Sequence, residues 1–167
     1  AIEIDGKSYP ISHVWQNAPV HLVGYNVDLD TRTARVAGAA RTSPHGMMQD
    51  LLNRDDRFQW GFESNGRVLR ILRDSARLTR QAYVEFDLEA MMTGEVFSDF
   101  MLLWLVCHQS RLELPSPSED GGESSGCWLE RWSHTAQRQG ERARDLLSGG
   151  VQRAIQRLGQ GFLEYRA

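Results

Sequence analysis

Residues Phe58 to Glu89, FQWGFESNGRVLRILRDSARLTRQAYVEFDLE, constrain the fold more than any other stretch of this chain. Three strand-like runs stand here in succession: FQWGFES, RVLRILRD and QAYVEFDL. Asn65-Gly66 separates the first two. Such a pair between strand-like runs is the strongest short hairpin signal, because both central residues of a type I′ turn need positive φ. Five arginines, Arg67, Arg70, Arg73, Arg77 and Arg80, sit on the second strand and the loop beyond it. Alternation along the strand puts Arg67 and Arg73 on one face and Arg70 on the other, so the three cannot face one ligand unless the ribbon twists.

The rest of the chain supplies a second hairpin, a further strand and helices. Ile2 and Ile4 alternate into Asp5-Gly6, and Tyr9 and Ile11 alternate back out, with Pro10 limiting the return strand to an edge. The run PVHLVGYNVDLD reads as a mostly apolar, central strand that ends in Asp28 and Asp30. Thr31 to Thr42 reads as loop. Ser43-Pro44 then opens a helix, Ser at the N-cap and Pro in the first turn, with Met47, Met48, Leu51 and Leu52 on its apolar face. A second helix is expected from about Glu95 to Leu114, its stripe of Val96, Phe97, Phe100, Leu103, Trp104, Val106 and Cys107 mostly buried.

Pro115 to Gly126, PSPSEDGGESSG, has nothing to bury and reads as a flexible acidic linker over 115–126. Beyond it, 127–167 is a helical extension. Trp128, Leu129 and Trp132 anchor its start, and Leu147, Val151, Ile155, Leu158 and Phe162 fall near one face. Gly149-Gly150 predicts a break or kink, since each Gly costs about 1 kcal/mol against Ala. The organisation is therefore an α+β domain over 1–114, a small mixed sheet with packed helices, then the linker and a C-terminal helical extension.

Charge is unevenly distributed. Residues 32–80 carry ten Arg against five acids, 81–130 one Arg against ten, and 131–167 seven against three. A basic block beside an acidic one suits a polarised surface facing a polyanion, or two blocks that pair with each other. Two cysteines make no disulfide framework, so a reduced, cytoplasmic chain is expected. The longest apolar run, Met101 to Cys107, is far short of the roughly 20 residues that cross a bilayer. A chain that opens on Ala1 without Met is expected to be a piece of a longer protein.

Several chemistries are excluded. Lys7 is the only lysine, so there is no P-loop, and neither a Gly-x-Ser-x-Gly elbow, a His-Glu-x-x-His helix nor a Cys-x-x-Cys pair occurs. Cys107, His108, Cys127 and His134 can be drawn as a zinc set, but the first two are neighbours and Cys107 lies on the apolar stripe, which makes tetrahedral geometry awkward. His13, His21 and His45 have no partner spacing and read as ordinary polar or half-buried residues. Two readings of the carboxylates stay open. Asp28, Asp30 and Glu85 would suit a Mg²⁺-dependent nuclease. Alternatively, Glu85, Asp87 and Glu89 are the solvated face of a strand whose other face is Val84, Phe86 and Leu88. Arginine's planar fork suits phosphate, so Arg67, Arg70, Arg73, Arg77 and Arg80 are the candidate contacts to double-stranded DNA, setting affinity and register rather than sequence choice.

The runs SPHGMMQDLLNRDDRFQWGFESNGRVLRILRDSARLTRQAYVEFDLEAMM, FSDFMLLWLVCHQSR and CWLERWSHTAQ resemble the region upstream of the catalytic domain in large adenine-specific DNA methyltransferases. These are the enzymes of combined restriction–modification (type IIG-like) and phage-defence (BREX- and DISARM-like) systems. The resemblance runs from about Pro19 to Phe162 and is most specific at Trp60-Gly-Phe…Asn65-Gly66, Leu69 to Asp74 and Tyr83 to Leu88. It implies a restriction-nuclease-like fold whose active members carry Glu-x-Lys on a catalytic strand. No Glu-x-Lys stands in Leu22 to Asp30. Adenine methylation further needs an Asn/Asp-Pro-Pro-aromatic loop and a Gly-rich loop for S-adenosylmethionine, and none of the five prolines makes Pro-Pro. The resemblance thus implies a non-catalytic N-terminal auxiliary domain, with S-adenosylmethionine bound elsewhere in the parent enzyme. Its partners would be duplex DNA and the parent's other domains, and it would have no business with a membrane. A pure protein–protein module, docking through the 95–114 helix and Trp128/Trp132, is the third reading.

Overall fold

The computed structural model describes residues 1–74, 83–113 and 126–165. The chain divides into two compact units, Ala1–Leu112 and Glu113–Ala167. The first is α+β: a two-stranded antiparallel hairpin, a five-stranded mixed sheet and short helices.

The hairpin pairs β1 (Ile2–Ile4) with β2 (Lys7–Tyr9), Ile4 opposite Lys7. Asp5 and Gly6 both have positive φ, 50° and 76°, so the type I′ turn is here. The large sheet has the order β3 (His13–Trp15), β4 (Ala18–Leu22), β5 (Trp60–Ser64), β6 (Val68–Arg73), β7 (Tyr83–Asp87). All neighbours are antiparallel except β4 and β5, which are parallel. A parallel pair needs a long crossover. Residues 23–59 provide it and contain α1 (Pro44–Arg54).

The helix begins as its sequence dictates, with Ser43 Oγ accepting from the Gly46 N–H at 3.1 Å and Pro44 in the first turn. Its buried Met47, Met48, Leu51 and Leu52 meet Tyr9, Ile11, Phe58 and Leu72 in the main core, with Ile2 and Ile4 packed against it. Gly61 permits this approach: a Cβ there would stand 2.9 Å from Met48 Sδ and 3.3 Å from Leu52. On the other side of the sheet, Ala18, Phe62 and Ile71 are covered by Val106, Cys107 and Leu112.

The central ribbon has the expected three strands, but its turn differs. Only Gly66 has positive φ, 83°, so Asn65-Gly66 is not a type I′ pair. Asn65 instead accepts from the Arg67 and Val68 N–H groups through Oδ1, and Ser64 Oγ donates to Val68 O. This is an Asx-type turn inside a longer connection, with Ser64 paired to Leu69.

Three further expectations are corrected. The strand predicted to end at Asp28 and Asp30 stops at Leu22, whose N–H donates to Ser12 Oγ. Val27 and Leu29 are buried as anchors of the following loop, which produces a strand-like alternation without a strand. The ribbon's last strand gives way at Leu88 to a short helix, α2 (Leu88–Thr93), capped by Asp87 Oδ1 accepting from the Ala90 N–H. The helix predicted over 95–114 is α3 (Phe97–Cys107), followed by a 3₁₀ turn at Gln109–Arg111. None of its residues is fully buried. It is apolar nearly all round, so one side meets the sheet while Phe97, Leu102 and Trp104 remain 70%, 54% and 49% exposed.

The second unit is described through α4 (Trp128–Tyr165), a continuous 38-residue helix. The break predicted at Gly149-Gly150 does not occur, since Gly costs a helix stability without preventing it. The predicted linker, Gly126 excepted, lies outside the described residues. No helix among them is long and apolar enough to cross a membrane.

Candidate functional site: a buried arginine among carboxylates

Strand alternation brings Gly61 and Glu63 of β5, Arg70 and Leu72 of β6, and Tyr83 and Glu85 of β7 to the face that α1 covers. Glu63 stands directly opposite Arg70, and Arg70 opposite Glu85. Arg70 is buried, 6% exposed, and each of its three guanidinium nitrogens donates to a carboxylate. Nη1 and Nη2 each donate to Asp30 at 2.7 Å, a bidentate fork, while Nε donates to Glu85 Oε2. Nη1 lies 3.7 Å from Glu63 Oε1, and the guanidinium carbon stands 4.3 Å from the centre of the Tyr83 ring. The Asp30 hydrogen bonds push the Arg70 pKa above its already high value, and those same bonds hold the Asp30 carboxyl below its ordinary value.

Asp30 reaches this cluster from the loop rather than from a strand. Asp28 Oδ1 accepts from the Asp30 N–H at 2.7 Å, Leu29 is buried, and Leu29 O accepts from the His45 N–H at 3.0 Å. These contacts tie the loop to the start of α1. His45 Nδ1 lies 2.9 Å from Glu63 Oε1, both residues are essentially inaccessible, and the His45 ring meets Tyr83 edge-on at 5.2 Å. Among the described residues, Glu63 Oε2 and His45 Nε2 have no hydrogen-bond partner.

The structure thus unites Asp30 and Glu85 with Arg70 and leaves Asp28 to shape the loop. It adds Glu63, His45 and Tyr83, which the sequence reading missed or treated as ordinary. One signal was legible: Glu63 and Arg70 are charged residues at inward positions of two strands joined by a recognised turn. Arg70, expected as a phosphate contact, is instead buried with each of its three guanidinium nitrogens donating to Asp30 or Glu85. Arg67 is half exposed, donates to Glu89 Oε2 at 2.8 Å and lies over Tyr25. Arg73 lies over Trp60. Arg77 and Arg80 lie outside the described residues.

An open cleft of about 380 Å³ adjoins the cluster, bordered by Tyr25, Asp28, Arg67, Arg70, Glu85, Asp87 and Glu89. Four carboxylates against two guanidiniums make it a poor seat for a phosphate. Glu89 is not on the Glu85 strand but on α2.

The candidate zinc set divides between the two units, Cys107 and His108 in the first and Cys127 and His134 in the second. His108 Nδ1 lies 2.9 Å from Ser110 Oγ, and His134 Nε2 lies 3.0 Å from Glu130. Burial pushes the Cys107 thiol up to about 11, the mark of an inert packing cysteine. Among the described residues no three His, Cys, Asp or Glu side chains are grouped to hold a metal ion. Comparisons with protein-family models, with curated proteins and with solved structures find no match, so the site rests on its own geometry.

Proposed function

We propose that this chain is a non-catalytic, nuclease-like auxiliary domain of a bacterial adenine-specific DNA methyltransferase or restriction enzyme, serving phage defence by docking other domains of that enzyme or helping to hold the duplex. The observation that carries the non-catalytic reading is the Arg70 cluster. Asp30 and Glu85, two of the three carboxylates a Mg²⁺-dependent nuclease would need, are bound by a buried guanidinium of the same charge sign as the metal. Asp28, the third, accepts the Asp30 N–H through Oδ1 and thereby shapes the loop that carries Asp30. S-adenosylmethionine would be held in the parent's methylase part, for this chain has neither loop that it requires.

Docking is favoured over duplex contact by the surface of the first unit. α3 exposes Phe97, Leu102 and Trp104, whereas the cleft beside the arginines is net acidic. Contact with phosphate falls to Arg73, Arg77 and Arg80, which would add affinity without reading sequence.

The nuclease alternative is tested with supercoiled plasmid, Mg²⁺ or Mn²⁺, and the wild-type, Asp30→Ala and Arg70→Met chains. Intact plasmid is expected throughout. Metal-dependent nicking that Asp30→Ala abolishes would overturn the non-catalytic reading. Duplex contact is tested by fluorescence anisotropy at low salt, where Arg77→Glu/Arg80→Glu should weaken whatever binding the wild type shows. Equal affinity of the two would leave docking as the whole role.

A further inference from the structure

The second unit carries a surface that nothing in the first reading uses. Starting at Trp132, the positions Ala136, Gly140, Ala143, Leu147, Val151, Ala154, Leu158 and Phe162 follow at intervals of 4, 4, 3, 4, 4, 3, 4 and 4 residues. From Ala136 to Leu158 this is the 4-3-4 spacing of an eleven-residue repeat, carried through two whole periods, and every position is apolar or Gly. Eleven residues in three turns is 3.67 per turn, close to the helix's own 3.6. The stripe therefore runs almost straight along a helix about 57 Å long, with at most a slight right-handed drift. Arg138, Arg142 and Gln156 lie on the opposite side of the helix.

The stripe is exposed: Leu147, Val151, Leu158 and Phe162 by 69%, 58%, 64% and 74%, and Ile155 at its edge by 64%. A lone helix bearing Gly140, Gly149, Gly150, Gly159 and Gly161 loses about 1 kcal/mol at each, and isolated helices draw little stability from propensity. Such a helix needs its apolar face covered.

The pattern also says by what. The stripe is a palindrome about Leu147: Ala143 and Val151 lie four residues either side, Gly140 and Ala154 seven, Ala136 and Leu158 eleven, Trp132 and Phe162 fifteen. We infer that α4 pairs antiparallel with α4 of a second copy of this chain, crossing at Leu147.

In that pairing Leu147 meets its own counterpart. Ala136 faces Leu158 and Ala143 faces Val151, small against large, while Gly140 meets Ala154 and Trp132 meets Phe162, so the small residues of the first half are set mostly against the larger ones of the second. A parallel pairing in register would set Ala136, Gly140 and Ala143 each on its own counterpart, leaving a thin stretch between Trp132 and Leu147 and bulk beyond it. The surface suffices. Side chains exposing roughly 100 Å² each would bury about 600–700 Å² per copy, near the roughly 800 Å² per partner of a standard interface. Leu129, the next position outward, is already buried and is not needed.

The test uses the full chain. Sedimentation equilibrium in the micromolar range should give twice 19.0 kDa, and Leu147→Glu/Leu158→Glu should return it to the monomer. Under mild oxidation, Ala136→Cys mixed with Leu158→Cys should cross-link to each other far more than either does to itself, against a wild-type control carrying Cys107 and Cys127. A monomer at all concentrations would overturn the inference, as would a dimer that survives the double Glu substitution. Self-cross-linking of Ala136→Cys in preference to the mixed pair would replace the antiparallel arrangement with a parallel one.

Discussion

Replacing Arg70 with Met keeps most of its volume and removes the charge and every donor from the carboxylate cluster. Removing one partner of a buried ion pair costs about 3–5 kcal/mol, because the remaining charge is left without compensation. Here Asp30 and Glu85 keep 43% and 35% of their side chains exposed, so both can regain water. The fully buried carboxylate, Glu63, keeps His45. The lower end of the range therefore applies, about 3 kcal/mol, or a fall in Tm of about 10–20 °C for a unit of this size. Urea unfolding followed by circular dichroism reads it, with Arg67→Met, a half-exposed pair on the same ribbon, as the comparison expected to change by less than about 1 kcal/mol. Acid supplies an internal control. Arg70 depresses the Asp30 pKa, so this contribution is complete above the unfolded carboxylate value of about 3.9 and is lost as pH falls through the lower folded value. The gap between wild type and Arg70→Met should narrow below about pH 4. A loss no larger than that of Arg67→Met, or a gap independent of pH, would refute the claim that Arg70 is the structural counter-ion of this face.

Three other outcomes follow from the packing. Asp50 is pushed up by burial but pulled further down, to about 2, by hydrogen bonds from Lys7, Tyr9 and Arg54. Its contribution is present above about pH 4 and lost as pH falls toward 2, so Asp50→Asn should start less stable and lose less in urea titrations across that window. Gly61→Ala should destabilise by about 1–2 kcal/mol, because the new Cβ meets Met48 and Leu52, and Gly61→Val should cost more; an unchanged urea midpoint for both would contradict the packing of α1 on β5. Ser43→Ala removes the N-cap acceptor of α1 and should cost about 1 kcal/mol in the same assay.

The chain's own residues determine most of the local structure. Asp5-Gly6, Ser43-Pro44 and the alternation within Trp60–Ser64, Val68–Arg73 and Tyr83–Asp87 depend on backbone preferences within a few residues, and each yields the element expected. Where an expectation fails, a distant contact decides. Val27 and Leu29 alternate like a strand, but Leu22 bonds to Ser12 and the segment becomes the loop that delivers Asp30. The apolar girdle of α3 requires burial somewhere, yet which sides the sheet covers depends on Phe62 and Ile71, far away in sequence. Gly149-Gly150 weakens a helix without ending it. The central hairpin's arginines show the division most clearly. Their spacing establishes that Arg70 points opposite to Arg73, since alternation is a property of the strand alone, whereas Arg67 stands just before β6 and borders the same cleft as Arg70. Whether that opposite side is water or protein is set by α1 and the Asp30 loop, and a guanidinium facing three carboxylates in the interior is a structural cation rather than a hand for phosphate.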